Sequence, residues 1–101
     1  MENGEAQEGG GVKRIHLIIS GDVQGVGFRT WILRHAQDLA LTGWVKNRED
    51  GAVEVVAEGP KSDLEKLIMD CHDGPDIAMV ERVDVTWEEP TDEFVEFEVV
   101  Y

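Results

Sequence analysis

Apolar residues in this chain change period in a regular order. From Lys13 to Ser20 they alternate, with Ile15, Leu17 and Ile19 on one side, and the spacing predicts a first strand. From Phe28 the period lengthens. Phe28, Ile32, Ala36, Leu39 and Ala40 fall on one helical face, and the helix is expected to end near Leu41, with Gly43 helping to break it. Gly43 to Asn47 reads as a second strand and Ala52 to Glu58 as a third, apolar at Val53, Val55 and Ala57. Between them Arg48-Glu49-Asp50-Gly51 is a hairpin turn, in which Asp-Gly is the strong signal. Gly59-Pro60 opens a second helix with the stripe Leu64, Leu67, Ile68 and Cys71, and Gly74-Pro75 closes it. Two strand-like runs follow, about Ala78 to Trp87 and Phe94 to Tyr101, separated by Glu88-Glu89-Pro90-Thr91-Asp92.

The order β-α-β-β-α-β is that of the ferredoxin-like α+β sandwich: two helices on one face of an antiparallel sheet, here with a short extra C-terminal strand. In such a split β-α-β unit the first two strands run parallel with the third between them. Their C-terminal ends then share an edge, so Asn47 is expected near the loop that follows the first strand.

Composition narrows the functional classes. With 101 residues, residues 13–101 make one domain, preceded by an acidic, Gly-rich segment, 1–12, expected to be a flexible tail. Lys and Arg total 9 against 22 Asp and Glu, for a net charge of −13. Nucleic acid is a poor partner for such a chain, because phosphate backbones need clustered cations. No stretch approaches the ~20 apolar residues of a membrane span, and the first residues lack the basic-then-apolar pattern of a secretory leader. Cys71 is alone, which excludes a disulfide within the chain and favours a reducing, cytoplasmic setting.

Chemistry concentrates at Gly21 to Arg29, read as GDVQGVGFR. A strand feeds this Gly-rich loop and a helix begins where it stops. That arrangement suits an anion: loop amides converge on it and the helix dipole favours it. Gly25 and Gly27 permit positive φ. Arg29 stands in the first helical turn, where a cation opposes the dipole, and its planar fork of donors fits phosphate. Rival motifs fit poorly. A phosphate-binding P-loop ends in Gly-Lys-Ser/Thr, whereas this loop ends in Gly27-Phe28-Arg29. A dinucleotide fingerprint needs a third glycine where Thr30 stands. The faint likeness of Gly25-Val26-Gly27-Phe28 to an RNA-recognition motif fails because that motif lies on an inner strand.

GDVQGVGFR, followed by TGWVKNREDGAVEVVAEG at 42–59, resembles the acylphosphatase family over essentially residues 13–101. The resemblance implies an enzyme that hydrolyses the carboxyl-phosphate anhydride of small acyl phosphates to a carboxylate and inorganic phosphate, with no metal and no cofactor. It also implies the site. The backbone amides of Gln24, Gly25, Val26, Gly27, Phe28 and Arg29, with the Arg29 side chain, bind phosphate, and Asn47 orients the attacking water. Ala40 stands where many members carry Gly, which is expected to alter only the end of the helix. The enzyme is expected to be a monomer without membrane or nucleic-acid partners.

Other residues invite structural readings. His16, His35 and His72 lack ligand-like spacing. Trp31, Trp44 and Trp87 are expected in the core or on a sheet face. Glu88-Glu89 and Asp92-Glu93 are expected in a solvated loop. Asp22 would repel an anionic substrate unless it points outward. Cys71 is followed at the sixth position by Ile77, not by the arginine of a Cys-x5-Arg phosphatase loop. Two alternatives to the hydrolase are a non-catalytic anion-binding module, which has no need of Asn47, and a piece of a larger carbamoyl-transfer protein, which a chain of this size with no further domain disfavours.

Overall fold

The computed structural model describes residues 11–101. The segment 1–10, the bulk of the expected tail, lies outside the described residues. Strand β1 (Val12–Asp22) is followed by helix α1 (Phe28–Asp38), strands β2 (Thr42–Asn47) and β3 (Val53–Pro60), helix α2 (Lys61–Asp73), and strands β4 (Met79–Glu88) and β5 (Phe97–Val100). The strands form one sheet in the order β4-β1-β3-β2-β5.

Alternation decides which side of the sheet is covered. Ile15, Leu17 and Ile19 of β1 and Val53, Val55 and Ala57 of β3 are fully buried, and they share one core with Phe28, Ile32 and Ala36 of α1 and Leu64, Leu67 and Cys71 of α2. Each such large aliphatic side chain contributes roughly 1.5–3 kcal/mol by leaving water. The intervening positions carry Arg14, His16, Glu54 and Glu58, which hydrogen-bond to one another or to Glu88 across the uncovered face. Two-sided chemistry of this kind fixes the register, because a slip of one residue would bury the charges.

Sheet pairing departs from the expected pattern at one place. β1 is antiparallel to β3 and β4, and β2 is antiparallel to β3, but β5 lies parallel to β2, opposite Gly43 to Lys46. The sheet is therefore mixed, and β5 is shorter than the expected run from Phe94. Phe97, buried beside the core, anchors it. Boundaries also move. β1 takes in Val12 at one end and reaches Asp22 at the other, with a bulge between Ser20 and Gly21 that bends it into the loop. Pro60 closes β3, one position before α2, rather than lying inside the helix.

α1 ends three residues earlier than expected, and Ala40 explains how. Its φ is 57°, the left-handed region, and the N–H groups of Ala40 and Leu41 donate to the carbonyls of Gln37 and Ala36. That is a Schellman stop, with alanine in the position glycine usually takes. Glu88 belongs to β4 rather than to a loop. The connection that follows is largely exposed, as expected of a solvated loop, but it is also pinned, because Thr91 and Asp92 donate their N–H groups to the buried Glu58 carboxylate. Trp87 lies half-exposed on outer strand β4, and Trp44 shares the uncovered face with Lys46.

Candidate active site

At the C-terminal edge of β1 and β2 the backbone turns through residues 23–27 into α1. Gly25 and Gly27 both have φ of 77°, a conformation that costs an L-residue with a side chain roughly 1–2 kcal/mol. Gly27 is also the residue that opens α1, and no side chain caps that helix. Every α-helix leaves its first N–H groups without intrahelical partners. Here the loop amides from Gln24 to Gly27 likewise donate to no carbonyl or side chain among the described residues. No acidic residue occupies the first turn of α1, in contrast to Asp63 in α2. The chain thus gathers donors and withholds the usual internal acceptors.

A small hollow of about 90 Å³ sits there, walled by Val23, Gly25, Gly27, Phe28, Arg29, Thr30 and Asn47. It is far smaller than the roughly 300–1,000 Å³ of sites for drug-sized ligands and suits a small anion. The structure therefore brings together Arg29, the glycines and Asn47, which are 18 residues apart in sequence at the closest pair of side chains. Asn47 reaches the hollow because it follows the buried Val45 by two positions on β2 and so lies on the helix-covered side. Asp22 is exposed and is not part of these walls, which removes the expected conflict with an anion.

Three contributors escape a reading of the sequence. The Gln24 side-chain amide donates to the carbonyls of Arg48 (2.8 Å) and Ala52 (2.9 Å), tying the loop to the β2–β3 turn directly after Asn47. Of the loop residues expected to offer amides, Gln24 and Val26 are not among the walls of the hollow, and the Gln24 side chain instead links the loop to the turn after Asn47. That turn is itself braced, since Ala52 N–H and Arg48 both bond to Asp50 and hold its carboxyl below the usual aspartate range. Thr30 supplies a hydroxyl-bearing wall. Tyr101 places its ring 4.8 Å from the guanidinium carbon of Arg29. The roles of the Gln24 side chain and of Tyr101 depend on which strands pair, and Thr30, next to Arg29 in α1, carries no motif of its own.

Groups set aside at the sequence level lie elsewhere. Burial, with a smaller contribution from Asp70, pushes the Cys71 thiol up to about 12, so it is no thiolate nucleophile at neutral pH. His35 pairs with Asp70 and stacks on Trp31, and His16 pairs with Glu54 and Glu88 on the uncovered sheet face. Among the described residues no three His, Cys, Asp or Glu side chains cluster as a metal site would require.

Fold and hollow together define a ferredoxin-like domain with a small hollow, walled by glycines, Arg29 and Asn47, at one sheet edge. Comparison with known proteins narrows the class. The acylphosphatase family model matches residues 15–99, and the chain belongs to that family. An acylphosphatase of Salinibacter ruber (strain DSM 13855 / M31) is 50% identical over 92 residues, covering 91% of this chain and 97% of that one. The crystal structure of acylphosphatase from Bacillus subtilis superposes with a TM-score of 0.85 at 37% identity, covering 88% of this chain and 99% of the other. A similar domain occurs inside a much larger protein. The structure of T. kodakarensis HypF matches with a TM-score of 0.77 at 33% identity, over 88% of this chain and 12% of that one.

Proposed function

We propose that the chain hydrolyses small acyl phosphates by direct attack of water on phosphorus. Water forms the new P–O bond, the bond from phosphorus to the bridging oxygen breaks, and a carboxylate and inorganic phosphate leave. Arg29 and the amides of Gln24, Gly25, Val26, Gly27, Phe28 and Arg29 hold the phosphoryl oxygens. Asn47 orients the water. A carboxamide is no base, so the water proton passes to a phosphoryl oxygen of the substrate. The carboxylate leaves readily and needs neither a general acid nor a metal, and no phosphoenzyme is required. Catalysis then rests on positioning and on donors aimed at developing charge.

The observation that carries this reading is the shared wall: Arg29, two left-handed glycines and Asn47 line one hollow of small-anion size. Membership of the acylphosphatase family supports acyl phosphates as the substrate class. A lone, buried Cys71 fits a reducing cytoplasm, no described helix is long and apolar enough to cross a membrane, and we take the working unit to be a monomer. The test is hydrolysis of benzoyl or acetyl phosphate by purified protein in the presence of a metal chelator. A rate above background is expected. Phosphate-dependent stabilisation without turnover would instead make the hollow an anion-binding module.

A further inference from the structure

The parallel pairing of β5 carries an aromatic ring to the phosphate site. Lys46 lies opposite Val100, so the next residues along the two strands, Asn47 and Tyr101, arrive at the same edge. There the guanidinium of Arg29 sits over the Tyr101 ring, 4.8 Å from its centre. Three other arginines are each held by a carboxylate: Arg14 by Glu58 and Glu88 (with the Phe94 ring also beneath it), Arg48 by Asp50, Arg82 by Asp84. Among the described residues no carboxylate lies within ion-pair distance of Arg29, and the Tyr101 ring is the group that meets its head.

The distinction is chemical. A guanidinium is flat, and its N–H donors point outward in its own plane. A carboxylate partner would occupy that fork and compete with an incoming phosphoryl group. An aromatic ring instead attracts the flat face through its quadrupole and uses none of the donors. We propose that Tyr101 is a positioning residue: its ring holds the Arg29 guanidinium in place while leaving every N–H free for the substrate's phosphoryl oxygens. This rests on the assignment of Arg29 to phosphate binding above. The hydroxyl has no part in it, and Tyr101 as a residue is 96% exposed and lies outside the core, so removing the ring opens no cavity there.

Two variants and a double-mutant cycle test it. Tyr101→Phe should match the parent in phosphate affinity, measured by calorimetric titration with inorganic phosphate, and in kcat and KM for benzoyl phosphate. Tyr101→Leu should weaken phosphate binding and raise KM about 2–5-fold, the fold-change of an exposed cation–π contact, with an unchanged melting temperature. In an Arg29→Gln background Tyr101→Leu should add nothing. Parent-like phosphate affinity in Tyr101→Leu overturns the proposal. So does a loss in Tyr101→Phe equal to that in the leucine variant, or a leucine effect that persists at full size without Arg29. If Arg29→Gln alone leaves phosphate affinity intact, the assignment of Arg29 fails first and the stacking role falls with it.

Discussion

The two ends of β1 hold the same device in two conditions. Near its start, Glu58 is buried opposite Arg14, and its carboxylate accepts the N–H groups of Thr91 and Asp92, the Thr91 hydroxyl and a donor of Arg14. Beyond its end, Gly25, Gly27, Phe28 and Arg29 wall the hollow that Asn47 also lines, and no Asp or Glu is among its walls. Backbone N–H groups and an arginine hold an anion at the first place, and by the reading proposed above they would do so at the second. One is filled by the protein's own side chain and clasps the β4–β5 connection to the sheet. At the other, every wall residue is neutral or cationic. The contrast separates a structural use of the motif from a chemical one, and it predicts which variants move stability and which move rate.

The largest effects belong to the hollow. Removing a preorganised donor from a site of developing charge costs roughly 10²–10³ in rate. Arg29→Gln is expected to lose at least that in kcat/KM for benzoyl phosphate and to bind phosphate more weakly, while its melting temperature stays near the parent's. Asn47→Ala should lower kcat by about 10²-fold, the scale of a mispositioned reactant, and keep its affinity for inorganic phosphate. Near-full activity in Asn47→Ala would remove that residue from the mechanism and leave an anion site without a water-positioning amide.

Glu58→Gln should do the reverse. Burial by itself would push the Glu58 carboxyl up, but the N–H groups of Thr91 and Asp92 and the Arg14 guanidinium outweigh it and hold the carboxyl below the ordinary value of 4.5. A depressed folded-state pKa contributes stability that is present above 4.5 and is lost as pH falls through the folded value. Chemical denaturation at neutral pH should show Glu58→Gln less stable by about 1–3 kcal/mol, with parental kcat/KM. The gap should close in acid, where the parent carboxyl is itself protonated and resembles the amide. A constant gap down to pH well below 4.5 would mean that shape, not charge, holds the clasp.

Gln24→Ala tests the tie between the cradle and the turn after Asn47. Each carbonyl that Gln24 holds keeps one backbone donor, since Gly51 N–H reaches Arg48 and Arg48 N–H reaches Ala52. The stability cost should therefore be near 1 kcal/mol. A loop free to shift against Asn47 should lower kcat/KM by about 10-fold. An unchanged rate would show that the cradle holds its own shape without the staple.

How far these roles could be read in advance follows from what each depends on. The glycine loop and Arg29 were legible because they are local. Periodicity placed the strand and helix around the loop, and the βαβ geometry brought Asn47 to the same edge. Glu58 looked like one more strand carboxylate, since its burial comes from Arg14 and from Thr91 and Asp92, 33 and 34 residues away. The direction of β5 was equally hidden. A run of Phe97, Val99 and neighbours reads the same parallel or antiparallel, and only the partner strand decides that Tyr101 meets Arg29. Gln24 was legible as a loop residue but not as a staple, because its acceptors belong to a turn formed by another hairpin.

The smallest expected effect concerns charge at a distance. With a net charge of −13 the protein repels a dianionic substrate before the local donors can act. Raising ionic strength from about 0.01 to 0.15 M shortens the screening length from about 30 to 8 Å, which weakens that repulsion while leaving contacts inside the hollow intact. With a chloride salt, kcat/KM should rise up to about 3-fold over this range before competition at the hollow reverses it. With phosphate or sulfate, which enter the site, it should only fall. A monotonic decrease with chloride as well would show that the donors around residues 24–29 dominate the field even at long range. The same titration should leave the contribution of Glu58 to stability almost unmoved, because a pair buried between strands is screened far less than charges that face open water.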